Sequence, residues 1–342
     1  MKIAVLGTGN IGCLLGAYLS HADYDLTMIS AFRPSTAEFL SQNGLSIGDL
    51  HGEPGNVLFH TDIKAVFIDD LKDERFDIVL VALKSNDLET VVPRMLPYLS
   101  ESGYFVPFEN GINEDLLIPL VGQERLVIGS TFAGGGMRAP GYMCSHEGFL
   151  VVGEISGEIT ERVQTLGKIL ECCRPTVVAD NARAYQWEKM GRVCLSVPCA
   201  CISGLYLGDV FMEPRLQKLF AILALEIFAV AEADGFQMDS LEKKSRQEWM
   251  DVAAGRLTGL ENRDPGNWAP GIVDAYTSDI RKGLPLEIVN TNGAVSRLGR
   301  RYGVPTPAND GIVRFIEEIR DGKRERGFAN VEELVAACAV EF

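Results

Sequence analysis

The sequence is poor in the residues that build metal centres, disulfide frameworks and nucleic-acid surfaces. Only four of its 342 residues are histidine, and its eight cysteines form no C-x-x-C motif. No metal-ligand spacing is therefore present, and the cysteines are expected to be reduced core thiols. Lysine and arginine number 32 against 47 aspartates and glutamates, for a net charge of −15. This balance disfavours binding to nucleic acid or to an anionic membrane surface.

The chain also lacks long hydrophobic segments, internal repeats and low-complexity tracts. Its most apolar later segments, 193–207 and 219–231, are shorter than the ~20 residues that span a membrane. Both are predicted to be buried helices, although part of the second could pack at a homodimer interface. A strand pattern starts at the N-terminus, so no signal peptide is expected and a cytoplasmic location is favoured.

The strongest motif opens the chain with MKIAVLGTGNIG. A short apolar run is followed by G-x-G-x-x-G and then by apolar residues at helical spacing, the order of a dinucleotide-binding turn. Gly7 allows the sharp turn, Gly9 leaves room for a pyrophosphate, and Gly12 lets the helix pack closely. Asn10 and Ile11 open the helix, whose N–H groups favour phosphate. The alternative is a purely structural turn between strand and helix.

Strand and helix patterns alternate up to about residue 180, which predicts a mostly parallel, doubly wound α/β sheet. The strands are expected at 2–6, 25–30, 57–59, 77–82, 104–107, 126–130 and 149–152, and the helices at 11–20, 35–43, 88–99 and 158–173. A hairpin at the sheet edge is expected within 133–153.

Helical patterns dominate the rest of the chain. They cover 182–203, 214–234, 240–260, 271–282, 289–302 and 308–321, with breaks at 235, 262–265 and 303–307. We therefore predict a nucleotide-binding domain at 1–180 and an all-α substrate domain at 181–342. The cofactor is expected on the first domain, with a small-molecule substrate between the two.

The end of the second strand indicates which nicotinamide cofactor binds. Enzymes that select NAD usually carry an acidic residue there, whereas this strand ends in Ser30 and is followed by Arg33. A guanidinium suits a 2′-phosphate, so NADPH is favoured over NADH. Lys84 follows another strand, where it could contact cofactor phosphate or ribose. Both basic residues could instead be ordinary surface charges.

Three further residues are candidates for catalysis. Asn110 lies in an N-G turn after a strand, where it could serve the turn alone or orient nicotinamide or substrate. Lys189 lies on a largely apolar helix, where burial would depress its pKa and suit proton transfer; Arg192 shares its face. Glu287 opens a helix, which capping alone would explain. From spacing alone, the structural explanation is the more common one for Lys189 and Glu287.

In combination, these segments resemble the ketopantoate reductases (2-dehydropantoate 2-reductases) over nearly the whole length. The matching stretches are KIAVLGTGNIG, LVALKSND, ENGIN, GSTFAGGG, WEKM, SDIRKGLPLEI and NGAVSRLGRRYGVPTPAND. The resemblance implies a Rossmann-type domain followed by a helical domain. It also implies NADPH as cofactor, reversible reduction of a 2-oxo acid to a 2-hydroxy acid, and a place in pantothenate biosynthesis.

The resemblance also implies roles for single residues. Lys189 matches the catalytic lysine of the family, Glu287 its signature glutamate, Asn110 its cleft asparagine and Lys84 the lysine near the cofactor. Hydride from NADPH would then reach the keto carbon, while the Lys189 ammonium stabilises the oxygen and protonates it.

The substrate pocket departs from the family pattern. Val193 and Val197 replace two asparagines, and Ala275 replaces a serine. The replacements considered for the lost polar contacts are Arg192, Ser196, Tyr276 and Trp268. The substrate therefore stays open between ketopantoate and another branched, aromatic or dicarboxylic 2-oxo acid.

Two other functions remain as alternatives to a 2-oxo acid reductase. One is an imine-reducing, opine-type dehydrogenase on a similar two-domain plan. The other is a noncatalytic NADPH-binding sensor, which would need neither Lys189 nor Glu287.

Overall fold

The computed structural model describes residues 1–49, 56–258, 271 and 273–338. The chain forms two compact units. The sheet unit comprises Met1–Glu109 with Asn113–Tyr185, and the helical unit comprises Asn110–Ile112 with Gln186–Phe342. The short segment joins the helical unit because Ile112 belongs to that unit's hydrophobic core.

The strands and helices of the first part of the chain are as follows: β1 Ile3–Leu6, α1 Asn10–His21, β2 Leu26–Ser30, α2 Pro34–Asn43, β3 Leu45–Asp49, β4 Val57–Thr61, β5 Ala65–Phe67, β6 Phe76–Val81, α3 Leu88–Val91, β7 Leu99–Pro107, α4 Glu114–Val121, β8 Val127–Thr131, β9 Gly134–Ala139, β10 Tyr142–His146, β11 Leu150–Glu154, α5 Glu161–Leu170 and β12 Thr176–Val178. The later helices are α6 Ala182–Ser203, α7 Gln217–Ala233, α8 Arg246–Ala253, α9 Ala275–Lys282, α10 Asn292–Tyr302, α11 Pro307–Arg320 and α12 Phe328–Ala337.

The main sheet is parallel throughout, with the strand order β5-β2-β1-β6-β7. Ile3 of β1 pairs with Leu26 on one side and Ile78 on the other. The residues of β1 are buried, as expected for a strand covered on both faces. The chain moves outward from β1 to β2 and β5, then returns to β6 on the other side of β1. The order in which strands are added therefore reverses between β1 and β6, which is the position where open α/β sheets bind their ligands. The expected fold class is confirmed.

The sheet unit contains two further sheets that the sequence did not predict. One has the order β4-β3-β10-β9 and the other β12-β11-β8. The expected hairpin exists as β9 and β10, but β10 pairs with β3, so its predicted place at the edge of the main sheet was wrong. Strands β5 and β12 have three residues each, too few for a periodic pattern.

Proline explains the principal error in helix prediction. The expected helix at 88–99 is α-helical only in α3, and the chain continues as a tighter 3-10 helix through Tyr98. Pro93 and Pro97 lack the N–H that an α-helix requires and crowd the preceding turn. The expected helix at 240–260 begins later, at Arg246, and the predicted break at 262–265 lies outside the described residues.

The helical unit is built around α7. Within the segment 219–231, all residues except Ala229 are buried inside this chain, so its prediction as core is confirmed. Among the described residues, no helix combines the length and apolar character needed to cross a membrane.

A buried polar network joins α7 to three neighbouring helices. Glu226 accepts hydrogen bonds from the backbone N–H groups of Ala308 (2.8 Å) and Asn309 (3.0 Å) and from Asn309 Nδ2 (2.7 Å). Asn292 Nδ2 donates to Asn309 Oδ1 at 2.9 Å and to the carbonyl of Cys194 on α6 at 3.2 Å. Burial raises the pKa of Glu226 to about 7, against the opposing effect of these donors. The network fixes α6 relative to α7, α10 and α11.

We expect Glu226→Ala to lower the free energy of unfolding by at least about 2 kcal/mol, because it leaves three buried N–H donors without an acceptor. Glu232→Ala on the same helix is the matched control: Glu232 is exposed and pairs with Arg246 at the surface, a pair worth under about 1 kcal/mol. Urea denaturation of both variants measures the difference. Equal effects would show that the network contributes nothing special.

Candidate active site

The glycine motif follows β1, next to the point where the strand order of the main sheet reverses. Gly7 has φ +117°, and a Cβ on it would lie 2.3 Å from the carbonyl oxygen of Ala82, just beyond β6. A Cβ on Gly12 would lie 2.1 Å from the carbonyl oxygen of Gly7. These two glycines are therefore required by close backbone packing.

Gly9 differs, because a Cβ there would meet nothing within 4 Å. It precedes α1, whose N-terminus receives no side-chain capping hydrogen bond. Asn10 Oδ1 accepts from the Met137 N–H at 3.3 Å, and Ile11 packs against the core. Open space over an uncapped helix N-terminus fits the pyrophosphate of a dinucleotide. Gly9, with Asn10 and Ile11 behind it, would hold that group.

The two residues predicted to select the cofactor have different environments. Ser30 is buried, and its Oγ donates to the backbone carbonyl of Arg33 at 2.8 Å. The Arg33 side chain is exposed, and its guanidinium has no hydrogen bond or ion pair within the described part of the chain. Ser30 therefore shapes the turn after β2, while Arg33 is available to an anion. Lys84 follows β6 at the same end of the sheet and is partly exposed.

Lys189 lies on α6 between two fully buried side chains, Trp187 and Met190. It is itself only partly exposed, and its ammonium has no hydrogen-bond or ion-pair partner among the described residues. Burial lowers its pKa to about 8, and the positive charge of Arg192 acts in the same direction. A lysine in this state is protonated at neutral pH and still able to release its proton, as a general acid must be.

The surroundings of α6 fix the position of Lys189. Trp187 Nε1 donates to Asp234 Oδ2 at 3.0 Å, and the hydroxyl of Tyr302 donates to Asp234 Oδ1 at 2.6 Å. On the next turns, Asn292 holds the carbonyl of Cys194. The helix is therefore anchored on both sides of its catalytic candidate.

The predicted substrate contacts do not all reach the surface. Arg192 is half-exposed, and its Nε donates to Glu242 Oε1 at 3.1 Å. Ser196 is buried and donates to the Arg192 carbonyl. Tyr276 is a core residue whose hydroxyl lies 2.6 Å from Thr291 Oγ1, and burial raises its pKa well above the usual value. Trp268 lies outside the described residues.

The remaining two candidates share the helical unit with Lys189. Glu287 is partly exposed, follows the buried Leu286 and is near enough to Tyr276 to raise the pKa of its phenol. Asn110 precedes Gly111, which has φ +108°, and Ile112 shares the core that contains Trp187 and Met190. Asn110 is thus placed in the unit of Lys189 despite its distance in sequence.

Sequence reasoning did not identify Glu242, which forms an ion pair with Arg192. The residue lies 50 positions after Arg192 in an irregular segment, and no periodic pattern links the two. Only the folded chain shows that they form an ion pair.

Substitution by alanine should affect cofactor binding at Gly9 and thermal stability at Gly12. We expect Gly9→Ala to leave the melting temperature unchanged and to weaken binding of the dinucleotide about tenfold or more, because the new methyl group enters the open space over α1. Gly12→Ala should lower the melting temperature, because its methyl group meets the backbone of Gly7. Thermal unfolding and cofactor fluorescence titration measure both effects. Unchanged cofactor affinity in Gly9→Ala would contradict the assignment of the phosphate site.

Comparison with known proteins agrees with this arrangement. Residues 3–157 match the family described as ketopantoate reductase PanE/ApbA, and residues 181–320 match its C-terminal domain. The 2-dehydropantoate 2-reductase of Archaeoglobus fulgidus is 22% identical over 324 residues, covering 94% of this chain and 98% of the relative.

Two solved structures show the same fold. The ternary structure of D-mandelate dehydrogenase with NADH and anilino(oxo)acetate has a TM-score of 0.78 at 20% identity, covering 94% of this chain and 99% of the other. A PanE/ApbA family ketopantoate reductase from Ralstonia eutropha JMP134 has a TM-score of 0.74 at 24% identity, with coverage of 95% and 100%. With the two family matches spanning most of its length, this chain belongs to the ketopantoate reductase family and is an NADP-dependent oxidoreductase that acts on a CH–OH group.

Proposed function

We propose that this protein reduces a 2-oxo acid to the 2-hydroxy acid with NADPH, and that 2-dehydropantoate, which gives pantoate, is its first candidate substrate. The observation that carries the proposal is the state of Lys189. This ammonium is partly buried, has a pKa of about 8 and has no partner among the described residues. Burying such a charge raises the free energy of the folded state. A protein that merely binds the cofactor does not need it, which argues against a sensor.

The chemistry of the helical unit follows from charge. The bound cofactor supplies the hydride, and the carbonyl oxygen of the substrate gains negative charge as that hydride arrives. The Lys189 ammonium stabilises this charge and donates its proton to the oxygen. In this proposal Glu287 holds the lysine or the new hydroxyl in place, and Asn110 fixes the geometry of the lysine or the nicotinamide.

Arg192 is proposed to bind the substrate carboxylate. Its Nε is engaged by Glu242, whereas its terminal amino groups have no partner among the described residues. These groups can bind a carboxylate through two parallel hydrogen bonds.

Ser196 and Tyr276 are buried and hydrogen-bonded within the unit. We therefore propose that they support Arg192 and Thr291 and do not contact the substrate.

An aromatic 2-oxo acid is the second candidate substrate. The likeness to D-mandelate dehydrogenase favours it. Val193 and Val197 on α6 are partly exposed, and such aliphatic side chains suit an apolar substrate group better than a hydroxylated one.

We also infer a cytoplasmic enzyme, because all eight cysteines are free thiols.

The direct test is NADPH oxidation with ketopantoate, phenylglyoxylate and a panel of other 2-oxo acids. We expect Lys189→Met to lower kcat by about 10²–10⁴-fold, because general acid catalysis is lost. Lys218→Met is the matched control, since Lys218 is an exposed lysine on α7. Turnover of phenylglyoxylate with poor use of ketopantoate selects the second substrate. Absence of turnover with every acid, or full activity of Lys189→Met, overturns the proposal.

The rate of reduction should depend on pH through the same residue. Its lowered pKa of about 8 means that the ammonium is present below that pH and lost above it, so kcat/KM for reduction should fall as the pH rises through about 8. A profile that stays flat to the ordinary lysine value of 10.5 would contradict a lowered pKa for the acid.

Arg33 should decide between the two nicotinamide cofactors. We expect Arg33→Ala to raise the KM for NADPH about tenfold or more, because the 2′-phosphate loses a bidentate partner. The KM for NADH serves as the internal control and should change by less than about twofold. Equal losses for both cofactors would show that Arg33 does not read the 2′-phosphate.

A further inference from the structure

The segment before α8 contains a tight turn with two strained residues. The N–H of Leu241 donates to the carbonyl of Lys244 at 2.9 Å, and the reverse hydrogen bond is 3.1 Å. The two central residues, Glu242 and Lys243, have φ values of +52° and +60°. Turns with positive φ at both central positions favour Asn-Gly, and each residue with a Cβ is strained there.

The neighbouring structure holds this turn in place. Leu241 is fully buried and lies so close to α6 that a Cβ on Gly191 would be 2.7 Å from its Cδ1. Trp249 Nε1 donates to the Leu241 carbonyl at 2.9 Å. Directly after the turn, Ser245 and Glu248 form a capping box that starts α8. Strain that is fixed by so many contacts points to a function for the residue that it presents.

The turn presents Glu242 to the helix that carries Lys189. Glu242 Oε1 lies 3.1 Å from Arg192 Nε, with 10% of the Glu242 side chain and 48% of the Arg192 side chain exposed. Two further carboxylates are nearby: burial raises the pKa of Glu188, the charges of Glu242 and Asp239 raise it further, and the charge of Arg192 lowers it. The ion pair engages one nitrogen of Arg192, so its terminal amino groups stay available.

We propose that Glu242 is a positioning residue, which holds Arg192 so that its terminal amino groups bind the substrate carboxylate beside Lys189. This inference rests on the proposed function, because it gives the 2-oxo acid its carboxylate site. An unpaired arginine would lose much side-chain freedom when it binds an anion, whereas one already held by Glu242 loses less. The turn thereby contributes to affinity for the substrate by placing Glu242 against Arg192.

Binding without turnover tests the inference. With NADP⁺ bound, no hydride is available, so calorimetric titration of 3-methyl-2-oxobutanoate reports affinity alone. We expect Glu242→Ala to weaken binding about tenfold, as Arg192→Ala should. Glu242→Gln keeps an acceptor oxygen and should lose less. Glu232→Ala, which removes a glutamate from a surface ion pair, should bind as the wild type does.

Two further readouts separate positioning from general damage. In NADPH oxidation, Glu242→Ala should raise the KM of the accepted 2-oxo acid about tenfold with less than a twofold change in kcat. Lys243→Gly relieves strain but keeps Glu242, so it should raise the melting temperature and leave affinity within twofold of wild type.

The outcomes distinguish this inference from the proposed function. Unchanged affinity in Glu242→Ala overturns the inference, as does a fall in kcat without a rise in KM. A wild-type protein that does not bind the acid at all also overturns it. Binding that depends on Glu242, without reduction of any 2-oxo acid, supports the carboxylate site and overturns the proposed function.

Discussion

The helical unit must accommodate one lysine ammonium, that of Lys189, which is only partly exposed to water. Lys189 has no ion-pair partner among the described residues, and burial lowers its pKa to about 8. An unpaired charge of this kind is unfavourable for folding, and other contacts hold α6 in place despite it. The hydrogen bond from Trp187 to Asp234 and the contact of Asn292 with the Cys194 carbonyl do so from two sides. These contacts hold in place the lysine that we propose as the general acid.

In the sheet unit the proposed requirement is different, because backbone N–H groups must be brought to a phosphate. Gly7 and Gly12 are fixed by backbone atoms within 2.3 Å of any added Cβ, whereas Gly9 faces open space. Two glycines of the motif therefore serve packing, and the third leaves the open space in which we propose that the phosphate binds. Beyond β2, the positive charge of Arg33 has no partner among the residues that the structure describes, which supports the proposed preference for NADPH.

The sequence predicted the parts of the structure that have local or periodic signals. The β1–α1 turn, most of the parallel core strands and the helices α6, α7, α9, α10 and α11 follow from glycine spacing and apolar periodicity, whereas α12 was not predicted. The shortest strands, β5 and β12, did not, because three residues carry no pattern. The helix expected at 88–99 failed because apolar periodicity ignored Pro93 and Pro97.

Whether a candidate site residue could be predicted from the sequence depended on whether its environment is set by its own helix or by a distant segment. Lys189 was identified as a lysine on an apolar helix, and its lowered pKa agrees with that reasoning. Tyr276 was expected near substrate because it is polar, but its depth in the core depends on packing that no local pattern encodes. Glu242 was missed because its pairing with Arg192 joins segments 50 residues apart. Such long-range ion pairs become visible only after the chain has folded.

The state of Lys189 is the central claim, and nuclear magnetic resonance tests it most directly. In protein with ¹³C-labelled lysine, the Cε signal of Lys189, assigned with Lys189→Arg, is followed against pH. A midpoint near pH 8, the value that burial gives, supports an ammonium poised to donate its proton. A midpoint near 10.5, the ordinary value for lysine, would show that Lys189 is a solvated surface charge and would contradict the account.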